Sequence, residues 1–301
     1  MDLRQIAPGS FVLLRCDLLV RCRQITEADI ATVVALLARG FQERTREFWL
    51  DLFTQLSAME PPPSFPKYGY LLESRGLVVG VILLIFSRVR AGGATSIRCN
   101  LSSWYVEPKF RAYAGFLVSQ ALRYKDVTYL NISPVPNTEP LIEAQGFLRY
   151  CDGVFIALPI LNGLLGGGVE VFGADREPKV DFDLFEQKLL QQHAARGCIS
   201  LWCATSQHAY PFVFRPRMIK VLIPCAQLIY CRDIGDFVRF AGPIGRFLAL
   251  RGKPLVMVDA HGPVAGLIGV FSRDKLPKYF KGPQCPRLGD LAFTELALFG
   301  I

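Results

Sequence analysis

Between Leu77 and Phe86 the chain reads LVVGVILLIF, ten residues without a charge. A helix needs roughly 20 apolar residues to span a bilayer. This run is too short for that, and its β-branched content suits a strand buried on both faces. Such a strand belongs in the interior of a sheet rather than at its edge. Arg75-Gly76 just before it is a turn dipeptide, and YGYLLES before that is a partner strand, which together make a hairpin. A second apolar stretch, from Gly153 to Val169, is interrupted by Pro159, Asn162 and Gly166-Gly167-Gly168. It reads as a strand running into a flexible linker, and no membrane association is expected.

The rest of the first half falls into place around the hairpin. VRCRQITEADIATVVALLARGF is a strand, then Thr26 as N-cap with Asp29 beyond it, then a helix with Ile30, Val33, Val34 and Leu37 on one stripe, ending at Gly40. A second helix runs from about Arg44 to Met59 and is closed by Pro61-Pro62-Pro63. After a turn at Ala91-Gly92-Gly93, TSIRCNLSSWYV is a strand. The run Glu107–Tyr113 leads into the helix AGFLVSQALRY, VTYLNIS is a strand, NTEPLIEAQGF a short helix and GVFIALP a last strand. The order is β-α-α-β-β-β-α-β-α-β.

The second half echoes the first. Arg111 and Arg239 precede similar segments 128 residues apart, VTYLNIS and PLVMVDA lie 127 apart, and SIRCNLSSWYV lines up with PCAQLIYCRDI. Recurrence at one domain length is the mark of a tandem duplication. Matching the terminal GDLAFTELALF to GFLRYCDGVFI requires an insert, the charged SRDKLPKYFKGPQCPR, which reads as a solvated lip. The expected domains are therefore 1–160 and a divergent 181–301, joined by a linker over about 161–180.

Composition limits the partners. The chain of 301 residues is 51% hydrophobic and carries a formal net charge of +8. The charge is spread along the length, with 17 Lys and Arg against 14 Asp and Glu up to residue 160 and 17 against 12 beyond it. A nucleic-acid binder gathers its charge on one face, so none is expected as a partner. Nine cysteines, with no secretory leader in the sequence, point to a reducing cytoplasm.

The residues that bear on chemistry lie in SSWYVEPKFRAYAGFLVSQAL. A strand end, a short loop and a helix starting near Tyr113 would aim backbone N–H groups and the positive end of a helix dipole at one spot, with Arg111 at its rim, an arrangement suited to a pyrophosphate. With the element order, this segment resembles the GNAT acyl-CoA N-acyltransferase superfamily over about Val20–Pro159. The resemblance implies an α/β fold with a mixed, mostly antiparallel sheet flanked by helices, probed by acetyl-CoA or another acyl-CoA in a gap between the fourth and fifth strands. Backbone groups of Trp104, Tyr105 and Val106 would hold the pantetheine arm, and Arg111, Ala112, Tyr113, Ala114 and Gly115 the pyrophosphate. Ala114 and Phe116 stand where the superfamily's loop has small, mostly glycine residues, and Ile142 stands where many members have a tyrosine that protonates the leaving thiolate.

Glu107, at the strand end, is the candidate base, and Tyr105 and Tyr113 are candidate acids. The expected activity is transfer of an acyl group to an amine or hydroxyl acceptor by direct attack. The alternative is a non-catalytic acyl-CoA-binding or scaffold protein that has kept the fold and lost the chemistry. The two halves would act as a monomeric pseudo-dimer, or the chain as a homodimer. RFAGPIGRFLALRG in the second half reads either as a second phosphate loop or as a tight turn. His193, His208 and His261 all lie in that half without metal-ligand spacing, so no metal is expected.

Overall fold

The computed structural model describes residues 3–7, 10–15, 18–91, 94–135, 138–163, 168–219 and 222–300. They form two compact units, Met1–Asn131 with Lys281–Gln284, and Ile132–Phe280 with Cys285–Ile301.

The first unit holds β1 (Leu3–Ala7), β2 (Ser10–Arg15), β3 (Leu18–Gln24), α1 (Ile30–Gly40), α2 (Arg46–Ser57), β4 (Gly69–Ser74), β5 (Leu77–Ala91), β6 (Ala94–Val106), α3 (Ala114–Ala121) and β7 (Val127–Asn131). Its strands lie side by side in sequence order. All neighbours are antiparallel except β6 and β7, which run parallel through the α3 crossover.

Local chemistry sets the boundaries. Thr26 donates its backbone N–H and its hydroxyl to Asp29 Oδ2, at 2.9 and 2.7 Å, over a single 3₁₀ turn that opens α1. Thr45 caps α2 by accepting from the Phe48 N–H. Arg75 and Gly76 both take positive φ, 51° and 77°, as the two-residue turn between Ser74 and Leu77 demands. Val33, Val34, Leu36 and Leu37 of α1 are wholly buried, each contributing about 1.5–3 kcal/mol of burial free energy. The expected turn at Gly92-Gly93 lies outside the described residues.

The second unit holds α4 (Glu139–Ala144), β8 (Leu148–Ala157), β9 (Glu170–Gly173), α5 (Leu184–Ala194), β10 (Ile199–Ala204), β11 (Ala209–Ile219), β12 (Ile223–Tyr230), α6 (Ile234–Arg239), α7 (Ala241–Ala249), β13 (Leu255–Ala260), β14 (Gly269–Lys281) and α8 (Glu295–Phe299). Its strand order is β14-β8-β13-β12-β11-β10-β9. Phe212, Phe214, Phe237, Phe240, Ile244 and Val258 are among the residues that fill its core.

Several expectations need correction. The compact units divide at Asn131/Ile132, earlier than the expected domain boundary at 160, with β8 paired to β13 from Ala157↔Val256 to Gly153↔Ala260 and to β14 on its other edge. Hydrophobic pattern identifies a strand but not its partner. The expected linker contains β9, paired with β10 from Gly173↔Leu201 to Glu170↔Ala204, while Gly166 and Gly167 lie outside the described residues. The charged segment after Phe271 is not a solvated insert throughout: it continues β14, and Lys278, only 1% exposed, pairs with buried Asp259 at 2.7 Å. The terminal GDLAFTELALF ends in helix α8, so it does not correspond to strand β8.

The recurrence itself reappears in the hydrogen-bonded registers. The parallel β6–β7 ladder runs Ile97↔Val127, Arg98↔Thr128, Cys99↔Tyr129, Asn100↔Leu130, and the parallel β12–β13 ladder runs Cys225↔Leu255, Ala226↔Val256, Gln227↔Met257. The second set is the first shifted by 128 residues on both strands.

Candidate active site at the end of β6

The parallel ladder between β6 and β7 stops at Asn100↔Leu130, yet β6 continues to Val106. From Leu101 onward its edge toward β7 has no strand partner among the described residues. The other edge stays paired to β5, with an irregularity: Ser102 faces Leu83 and Tyr105 faces Val81, so β6 has one more residue than β5 across this interval. This is a β-bulge at Ser103-Trp104, and Ser103 takes a φ of 43° to make it. The bulge turns the end of β6, and the Glu107 N–H then donates to the Val79 carbonyl at 2.9 Å.

The α1–α2 corner closes on this strand end. Gly40 ends α1 directly against the Tyr105 ring, where a Cβ would sit 2.5 Å from ring carbons, so only glycine permits the contact. Phe41 follows, with its ring centroid 6.2 Å from that of Tyr105 and 5.5 Å from that of Trp49. One residue before Gly40, Arg39 Nη2 donates to Glu107 Oε1 at 2.9 Å. Glu107 is thus brought to the expected strand end but is ion-paired rather than solitary. Arg39 and the bulge were not anticipated. A basic residue in the last turn of α1 was the visible signal for the first, and a positive φ at serine leaves none in sequence.

Beyond Glu107 the loop differs from expectation. Pro108–Tyr113 is a 3₁₀ turn continuous with α3, and the Ala114 N–H is spent on the Arg111 carbonyl instead of pointing free. Arg111 and Ala112 are exposed, Tyr113 is buried and Ala114 half-buried. A Cβ at Gly115 would meet nothing within 4 Å. An extended chain therefore has an unpaired strand edge at Trp104–Val106 and open space beyond it, with an exposed guanidinium nearby in sequence. This leaves an edge to which an extended chain could add and, among the described residues, no tight cradle of free N–H groups for a phosphate. Ile142 is buried in α4 of the second unit.

The buried thiols and the histidines take part in packing and surface pairs. Burial raises the Cys99 thiol well above its ordinary range and pushes Cys22 and Cys203 up to about 12, which leaves them protonated and inert. His193 is fully buried, with Nε2 accepting from the Phe293 N–H and Nδ1 bonded to the Leu189 carbonyl at 2.8 Å, a tautomer fixed by packing. His208 and His261 face Asp181 and Asp152 on the surface. Among the described residues no group of three or more His, Cys, Asp or Glu is placed to hold a metal ion. In α7, a Cβ on Gly242 would meet the Gly163 carbonyl, and one on Gly245 would lie 2.4 Å from Ile160 N. These glycines, on the helix α7 rather than in a tight turn, admit the Pro159–Gly163 backbone against it and serve packing.

No sequence-family model matches the chain, and no curated protein matches it. Solved structures do. A GCN5-related N-acetyltransferase from Anabaena variabilis superposes with a TM-score of 0.58 at 10% identity, over 87% of this chain and 72% of the other. One from Kribbella flavida gives 0.51 at 14% identity, over 87% and 70%. A Pyrococcus horikoshii protein provisionally assigned as an acetyltransferase gives 0.52 at 14% identity, over 91% and 93%. Among the described residues no helix is long and apolar enough to cross a membrane. The likeness runs over most of the chain and concerns architecture, and the chain has the fold of the GCN5-related (GNAT) N-acetyltransferases.

Proposed function

We propose that the first unit transfers an acyl group, acetyl in the simplest case, from an acyl-CoA to an amine or hydroxyl acceptor. The observation that carries this reading is the early end of the β6–β7 ladder, which leaves Leu101–Val106 as an open edge beside a bulge. Bound acyl-CoA supplies an activated thioester carbonyl. Trp104, Tyr105 and Val106 offer backbone groups along which an extended arm adds as a strand, and an N–H on that edge stabilises the oxyanion that develops as the acceptor attacks. Glu107 takes the acceptor's proton. A C–N or C–O bond forms to the acyl carbon, the C–S bond breaks, and Tyr105 or water protonates the departing sulfur. Arg111 draws the coenzyme's phosphates without a backbone cradle.

The alternative, a binder without chemistry, draws support from Ile142 and from the spent Ala114 N–H. Calorimetric titration with acetyl-CoA and CoA, repeated on Arg111→Ala, tests the first step: the expected result is one site, weakened in the variant. Turnover lost in Glu107→Gln with coenzyme binding retained favours the enzyme. Absence of binding by either ligand overturns the acyl-transfer reading and leaves a scaffold that has kept only the fold.

A further inference from the structure

We propose that the acceptor is an α-amino acid, or another amine with a carboxylate on the adjacent carbon; this rests on the acyl-transfer reading above. The argument starts from the Arg39–Glu107 pair. Its two side chains are 57% and 32% exposed, and an exposed ion pair contributes little to stability. The pair nevertheless sits at the strand end, held there by the Gly40–Tyr105 contact on one side and the Glu107 N–H bond to Val79 on the other. Among the described residues, the pair engages Nη2 of the guanidinium and Oε1 of the carboxylate. The remaining donors of Arg39 and Oε2 of Glu107 leave a cation and an anion side by side with capacity unspent.

Such a pair is the complement of a zwitterion. Arg39 can receive a carboxylate in the forked geometry a guanidinium favours, while Glu107 receives the adjacent ammonium, so that the four charges alternate in sign. Glu107 then holds the proton that must leave before the nitrogen attacks. The half-buried rings of Phe41 and Tyr105 give the same corner an apolar wall, which suits an aromatic or aliphatic side chain. A polyamine fits poorly: Arg39 already offsets Glu107, and the first unit carries 17 Lys and Arg against 11 Asp and Glu.

The test measures equilibrium binding to the full chain of L-phenylalanine and L-leucine, against phenethylamine, 3-phenylpropionate and spermidine, followed by thiol release with acetyl-CoA. The amino acids are expected to bind about tenfold or more tighter than the analogues lacking either charge, the size of one charge-assisted contact. Arg39→Gln should erase that margin and Arg39→Lys restore part of it, with acetyl-CoA affinity unchanged. Equal or better binding of phenethylamine or spermidine, or an intact margin in Arg39→Gln, overturns the proposal. Acetyl-CoA binding that persists without zwitterion preference strikes this inference alone, whereas zwitterion preference without acetyl-CoA binding strikes the acyl-transfer reading.

Discussion

Asp29 shows how much one side chain can organise. It accepts from Thr26 to open α1, and Arg23 grips both its oxygens at 2.7 Å while also reaching Glu73 at 3.0 Å. The Arg23 guanidinium holds the Asp29 carboxyl well below the usual carboxylate range, partly against its own desolvation. A carboxylate depressed by folding contributes stability above its unfolded pKa, and the contribution is lost as pH falls toward the folded value. The wild type should therefore lose stability progressively below about pH 4. Asp29→Asn should be about 1–2 kcal/mol less stable at neutral pH and decline less steeply in acid, as urea unfolding at several pH values would read. Parallel declines would contradict this account. The cap was legible in the sequence because Thr and Asp at that spacing have a local job. Arg39 as partner of Glu107 was not, since the two are 68 residues apart and meet only after α1 has packed.

At the scale of elements, the strands and helices expected between Val20 and Pro159 followed from periodicity and turn residues and lie within a few residues of their expected ends, whereas β1, β2, β9, α5 and β11 were not read from the sequence. Partners did not follow. β8 is an almost continuously buried strand from Tyr150 to Ala157, but nothing in LRYCDGVFIA says that it lies between β13 and β14. β14 misled for a different reason: four consecutive exposed residues, Arg273–Leu276, precede a lysine that is buried. Asp274 and Leu276 take positive φ in this irregular stretch, and Lys278 Nζ emerges bonded to Asp259 and to the Leu276 carbonyl. Charge in sequence is a sign of solvation only until a partner is found. Lys278→Met should cost about 3–5 kcal/mol by leaving Asp259 buried without its cation, and Lys278→Met with Asp259→Leu should recover most of that. Chemical denaturation of the two variants decides it, and a single variant as stable as the double would show that the pair does not hold β14.

For the whole molecule, the two ladders whose registers lie 128 residues apart offer a comparison within one chain. Both parallel ladders start at registers 128 apart and stop after a few residues, at Asn100↔Leu130 and Gln227↔Met257, yet the segments that follow diverge. In the first unit the turn after β6 leaves open space at Gly115; in the second, the Pro159–Gly163 backbone lies against Gly242 and Gly245. The recurring segments were visible in the sequence, but whether a glycine there meets open space or backbone depends on a segment some 80 residues earlier. On this account only the first unit takes acyl-CoA, and the most direct test is amide hydrogen exchange with and without acetyl-CoA. Protection should rise across Leu101–Val106 and stay unchanged across Leu228–Tyr230. Binding with no added protection at Leu101–Val106, or with protection confined to the second unit, would contradict it.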